Sequence, residues 1–186
     1  MKYLLFMLVW ISSLGGASAL TFEGFASEVP QDARLGLFYV QGNGKIGAEL
    51  TSTAFVGKSF VLEMPKGVPE QVPVSPITSD NIAWVGIVGK INLSAAVKGT
   101  ELKLLLYQDT NKNQKYDVTE VNFDVRAHKG RVTLTFLYLS DALQVTADKG
   151  FSVDLPKGYV VLGIEAGRTI KGNVFSQKVE ADLDIY

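Results

Sequence analysis

The chain has 186 residues, with 18 Lys and Arg against 19 Asp and Glu, a single histidine and no cysteine. That balance lacks the basic patch a nucleic-acid partner calls for, and the missing cysteines remove disulfide staples and thiolate metal sites. A chain of this size suits one domain and buries about 70% of its unfolded surface, so its core needs no crosslinks.

Residues 1–19 read as an export signal. Lys2 supplies the positive start, residues 3–14 are apolar and uncharged, and Gly15, Gly16, Ala17, Ser18 and Ala19 form a small-residue cleavage site. The apolar run is shorter than the roughly 20 residues of a membrane span. No later run reaches that length, and no cysteine follows to carry a lipid. Cleavage after Ala19 leaves residues 20–186 as a single domain, with 17 Lys and Arg against 19 Asp and Glu and hence a net charge of −2. The expectation is a product released into the periplasm or outside the cell, with no membrane span in the mature chain.

From residue 20 onward the hydrophobic period is two. In 131–138, Val132, Leu134, Phe136 and Tyr138 share one face while Thr133 and Thr135 share the other, the pattern of a half-buried strand. Comparable runs span 34–40, 45–50, 59–64, 82–91, 101–107, 121–127, 151–155, 159–164 and 174–186. Turn signals rich in Gly and Pro at 41–44, 65–67, 128–130, 148–150 and 156–158 separate them. This spacing predicts an all-β domain, an antiparallel β-sandwich of Greek-key type, with a small β-barrel as the alternative. No segment carries a helical period, and 141–147 is too short and too rich in turn formers for a helix.

Pro65, Pro69, Pro73 and Pro76 make 64–78 an extended connection with few ladder bonds, predicting a crossover between two sheets. Residues 60–67 and 151–158 echo one another in residue type. The match does not extend into the flanks, so it reads as two strand exits built on the same turn chemistry. In the last strand Val179, Ala181, Leu183 and Ile185 alternate with Glu180, Asp182 and Asp184. Acidic residues at the positions that would meet lipid exclude an outer-membrane barrel. They predict instead a solvated face that guards an edge strand.

His128 stands at a turn signal, and no nucleophile elbow supports it as a base for a residue such as Ser140. It reads as an exposed turn residue and the chain as non-enzymatic. One histidine without cysteine leaves no zinc set. Trp84, Tyr39, Tyr107, Tyr138 and Tyr159 stand at strand spacing and read as core and cross-strand aromatics. Asn92, Leu93 and Ser94 match the glycosylation acceptor pattern, which matters only in a eukaryotic secretory route.

The stretch that carries chemistry is 109–120. Asp109, Asn111, Asn113, Asp117 and Glu120 stand at loop positions one, three, five, nine and twelve, between a strand run ending at Tyr107 and another starting at Val121. Calcium takes six to eight oxygens, and a coiling loop supplies them from alternate positions. Asp109, Asn111 and Asn113 would each give one side-chain oxygen, Lys115 its backbone carbonyl, and Asp117 a direct or water-mediated contact. Glu120 would close the shell as a bidentate carboxylate.

Over these twelve residues the spacing resembles the calcium loops of EF-hand, dockerin and thrombospondin type 3 repeats. The resemblance implies a calcium ligand role for Asp109, Asn111, Asn113, Asp117 and Glu120, but no EF-hand helices, since both flanks read as strand. Gln114 stands at the sixth position, where those loops carry glycine, and Tyr116 where they carry a small aliphatic residue. The expected affinity is weak, roughly 0.1–1 mM as in extracellular modules. The function read from the sequence is an exported binding module for an unknown envelope or extracellular partner. The alternative is a lipocalin-like barrel carrying a small apolar ligand in a cavity lined by Trp84, Leu134 and Phe136.

Overall fold

The structure is a computed structural model that describes residues 20–41, 44–67, 70, 72–80, 89–165, 171–175 and 177–186. The export segment and most of the strand run at 82–91, with Trp84, lie outside the described residues. The described chain is all-β. Its first strands are β1 (Thr21–Ala26), β2 (Ala33–Val40), β3 (Ile46–Ala54), β4 (Ser59–Glu63) and the two-residue β5 (Ser75–Pro76) and β6 (Asn92–Leu93). Then come β7 (Lys98–Gln108), β8 (Asn122–Lys129), β9 (Val132–Leu139) and β10 (Leu143–Ala147). The last are β11 (Phe151–Leu155), β12 (Gly158–Glu165), β13 (Lys171–Phe175) and β14 (Lys178–Ile185). Among the described residues the only helical feature is a 3-10 turn at Asp148–Gly150, and no helix is long and apolar enough to cross a membrane.

Eleven strands form one mixed sheet along the path β13-β12-β9-β7-β8-β14-β1-β4, with β2, β3 and β5 attached through β7. The branching is possible because β7 is 11 residues long. Its first half pairs with β9, from Gly99↔Leu139 to Leu102↔Phe136, and its end pairs with β8, from Leu105↔Asp124 to Tyr107↔Asn122. Its other edge runs along β2, from Ala33↔Gln108 to Tyr39↔Leu102. Beyond Asp124, β8 turns away to pair with β14, and the arm β8-β14-β1-β4 folds over the rest of the sheet. The ring of Phe22 on β1 lies 5.0 Å from that of Phe136 on β9, which places the two arms face to face. A bridge between Val56 and Ser59 joins β3 to β4 and brings the free ends of the arms together, so the sandwich is nearly a barrel.

Three apolar clusters follow. The first fills the space between the arms, with Phe22, Leu35, Leu37, Phe60, Leu62, Leu104 and Leu183 all at most 3% exposed. The second lies on the outer face of β9 and β12, covered by a separate three-stranded sheet, β6-β10-β11. The third is small: Phe38, Leu105 and Tyr107 on the outer face of β2 and β7. β7 is therefore buried on both sides, which is why Leu104, Leu105, Leu106 and Tyr107 run without a polar break.

The strands differ from expectation in several respects. β1 and β14 are parallel, in register from Thr21↔Lys178 to Ala26↔Leu183, while the other pairs of the sheet are antiparallel. Gly24 permits that approach, since a Cβ there would meet the carbonyl oxygen of Ala181. The run at 174–186 is two strands, and β14 is no edge: β1 and β8 flank it. Its acidic residues still face solvent, and Lys178 bridges Glu180 at 3.5 Å and Glu23 of β1 at 2.7 Å. His128 lies within β8 rather than in the turn, where its Nε2 meets Asp184 at 3.3 Å and its Nδ1 the carbonyl of Gly130 at 3.0 Å. The turn itself is Gly130 and Arg131. Four strands, β1, β10 and the two-residue β5 and β6, occupy stretches where the alternation predicts none.

The echoing segments at 60–67 and 151–158 lie on β4 and β11, in different sheets. Each alternates buried and exposed residues in the same way, with Phe60 and Leu62 inward in one and Phe151, Val153 and Leu155 in the other. Tyr138 and Tyr159 are cross-strand partners with ring centroids 5.3 Å apart, and burial pushes the Tyr159 phenol up to about 12.

Candidate metal centre

The loop opens where β7 and β8 stop pairing. The N–H of Gln108 still donates to Val121, 2.9 Å, and the N–H of Asp109 is captured by the carbonyl of Asp32 at 3.0 Å. From there Asp and Asn side chains replace strand partners, each bonding backbone a few residues on. Asp109 Oδ2 accepts from the N–H of Gln114 (3.0 Å), Asn111 Oδ1 from Asn113 (3.0 Å), and Asn113 Oδ1 from Lys115 (2.8 Å). This coils the chain tightly enough that Lys112 and Gln114 take left-handed backbone, φ 58° and 64°. Gln114 therefore adopts at the sixth loop position the conformation that glycine supplies in similar loops. Its carbonyl is pinned from below by the hydroxyl of Ser52 on β3, 3.5 Å away.

Glu120 closes the loop. Its Oε1 accepts from the N–H of Thr110 (3.2 Å) and its Oε2 from the N–H of Asp117 (3.1 Å), so it clamps the first and last turns together. Asp117 Oδ2 accepts from the side-chain amides of Asn111 (2.6 Å) and Asn113 (2.9 Å). Both Asp109 and Glu120 are 6% exposed, and Asp109 Oδ1 is buried with no hydrogen-bond partner. A buried carboxylate oxygen left bare is costly, and among the described residues that atom is the loop's one buried side-chain oxygen without a partner.

The loop is seated on the sheet through Tyr116. Its ring packs edge-on against Phe38 (5.2 Å, 82°) and Tyr107 (5.4 Å, 65°), covering the third apolar cluster. Its N–H donates to Glu49 Oε2 on β3, 3.1 Å. Beneath it, the Tyr107 hydroxyl donates to Ser52 at 3.2 Å, and Arg34 Nη2 donates to the same oxygen at 3.3 Å. Burial pushes the Tyr107 phenol up to about 12; Ser52 and Arg34 oppose the rise and Glu49 adds to it.

The structure thus brings Asn111, Asn113 and Asp117 into one hydrogen-bonded cluster, and buries Asp109 and Glu120 at the ends of the loop. Lys115 enters through its N–H. The three carboxylates are turned onto backbone and amide donors rather than onto one another, and no three His, Cys, Asp or Glu form a metal-holding group among the described residues. Of the residues under the loop, Arg34, Glu49 and Ser52 carry no local motif and come from strands far away in sequence, while Tyr107 ends the strand that leads into it. Leu134 and Phe136, expected to line a ligand cavity, belong to the first core, where the Phe22 ring lies 5.0 Å from that of Phe60 and 5.0 Å from that of Phe136.

Compared with protein-family models, with curated proteins and with solved structures, the chain matches none.

Proposed function

We propose that this chain is an exported, non-enzymatic β domain whose 109–120 loop binds calcium structurally and presents that end of the molecule to an envelope or extracellular partner. The observation that carries the reading is Asp109 Oδ1. It is a buried carboxylate oxygen without a partner, in a loop whose spacing, left-handed sixth residue and closing Glu120 suit a hard cation.

Asp109, Asp117 and Glu120 would supply the charge, with Asn111 and Asn113 giving carbonyl oxygens and Lys115 its main-chain oxygen. Each Asn oxygen already accepts one backbone N–H and has a second lone pair free for an ion. The amide nitrogens now bonded to Asp117 would have to swing away, so binding exchanges two hydrogen bonds for coordination. That exchange fits weak affinity.

The test is the melting temperature in EGTA and across a calcium titration, with magnesium as control. At about a hundred times its dissociation constant, calcium should add roughly 2.7 kcal/mol. Asp109→Ala should abolish that increment. It should also cost about 1 kcal/mol in EGTA, because Oδ2 holds the Gln114 N–H. A flat titration to millimolar calcium would sink the proposal.

A further inference from the structure

We infer that a second site lies beside the loop: a cleft that takes a small organic monocarboxylate on Arg34. The cleft, about 450 Å³, lies between the β1–β2 connection, the β3–β4 turn and the first half of the loop. Arg34 stands on β2 at its floor. Nη2 gives one of its two N–H groups to Ser52, while Nε is buried and has no partner, and among the described residues Arg34 forms no ion pair. Arg34 is half-buried, and a buried Nε–H with no acceptor is a poor arrangement unless something docks on it.

The rest of the cleft says what kind of molecule fits. The free edge of a guanidinium is planar and matches a carboxylate in two parallel hydrogen bonds. The charged groups lining the cleft are Arg34, Lys112, Asp32 and Asp109, two of each sign. A balanced cleft suits a singly charged anion better than a phosphate dianion. Lys112, whose left-handed backbone holds it on the loop at the rim, supplies the second cation. Val29, Pro30 and Phe55 offer an apolar wall for a short hydrocarbon tail.

The site stands apart from the calcium reading, with one link between them. Asp109 lines the cleft and repels an anion as long as its charge is uncompensated. An ion held by Asp109 would remove that repulsion and strengthen carboxylate binding several-fold.

The direct test follows the Arg34 Nε–H resonance of the whole protein by NMR as propionate is added, in EGTA and in calcium, with phosphate and chloride as controls. A saturable propionate shift, tighter than with either control, lost in Arg34→Gln and weakened several-fold in Lys112→Ala, supports the site. Lys112 is exposed, so that variant keeps its fold if Arg34→Gln does not. A resonance unmoved at tens of millimolar propionate, one that reports only a bound water, or one that responds equally to chloride overturns it. Equal affinity in EGTA and calcium keeps the carboxylate site and removes the coupling. Failure of the carboxylate leaves the calcium melting curve as an independent test of the loop.

Discussion

The outer face of the large sheet is covered twice, and the two covers are built differently. Over β9 and β12 lies the sheet β6-β10-β11, closing a cluster of eleven buried apolar residues that includes Leu137, Val145, Phe151 and Leu155. Over β2 and β7 lies the loop, with Phe38, Leu105 and Tyr107 beneath the half-buried Tyr116. The first cover satisfies its backbone by strand pairing and is held by apolar area. The second has almost no regular pairing, so its backbone N–H groups are taken by Asp109, Asn111, Asn113 and Glu120 and by Glu49 from β3, while Asp117 ties the Asn111 and Asn113 amides together. The same polar groups that allow an irregular loop to cover a hydrophobic face also form the candidate cation site. Covering and binding are one construction there.

The largest contrast should appear in Phe151→Ala. Emptying a fully buried aromatic position costs about 3–5 kcal/mol, and urea unfolding should give the same loss in EGTA and in calcium. Tyr116→Ala uncovers the loop's smaller cluster and should cost about 2 kcal/mol. Unlike Phe151→Ala, it should also weaken calcium binding; an unchanged calcium response would mean that the loop folds independently of its seat.

Alkaline pH should loosen the same seat. The Tyr107 phenol stands at about 12 in the folded protein against 10 when unfolded. The unfolded chain therefore loses its proton first, and stability present below pH 10 is lost as pH rises towards 12. Tyr107 should account for about 1 kcal/mol of the loss at pH 11 and Tyr159, also at about 12, for a similar share, so Tyr107→Phe should remove about half of the alkaline loss. The smallest effect belongs to Gln114→Gly, which relieves a left-handed backbone while adding unfolded-state entropy, a net gain of about 0.5 kcal/mol. A loss there would mean that the Gln114 side chain itself holds the loop.

Much of this fold is legible in the alternation of residues, because one-sided burial imprints a period of two. Phe60, Leu62 and Met64, or Phe151, Val153 and Leu155, announce their strands and the face they bury. β1 hides behind Gly24, inward with no side chain, and an outward Phe25 that is 45% exposed. β10 hides in five residues between turn formers. The loop's spacing is equally local, since Asx-type bonds reach only a few residues, and so 109–120 could be read as one coiling segment.

By itself, then, the sequence determined the all-β class, the strand faces and the order of oxygen donors along the loop, all properties of neighbouring residues. Only the tertiary structure decided that β14 lies parallel to β1 in the interior of its sheet. It also set Arg34, Glu49, Ser52 and Tyr107 under a loop some sixty residues away from most of them, and left Asp109 Oδ1 bare. Pairing between distant strands depends on which apolar faces find one another in space, and no short-range pattern encodes that choice.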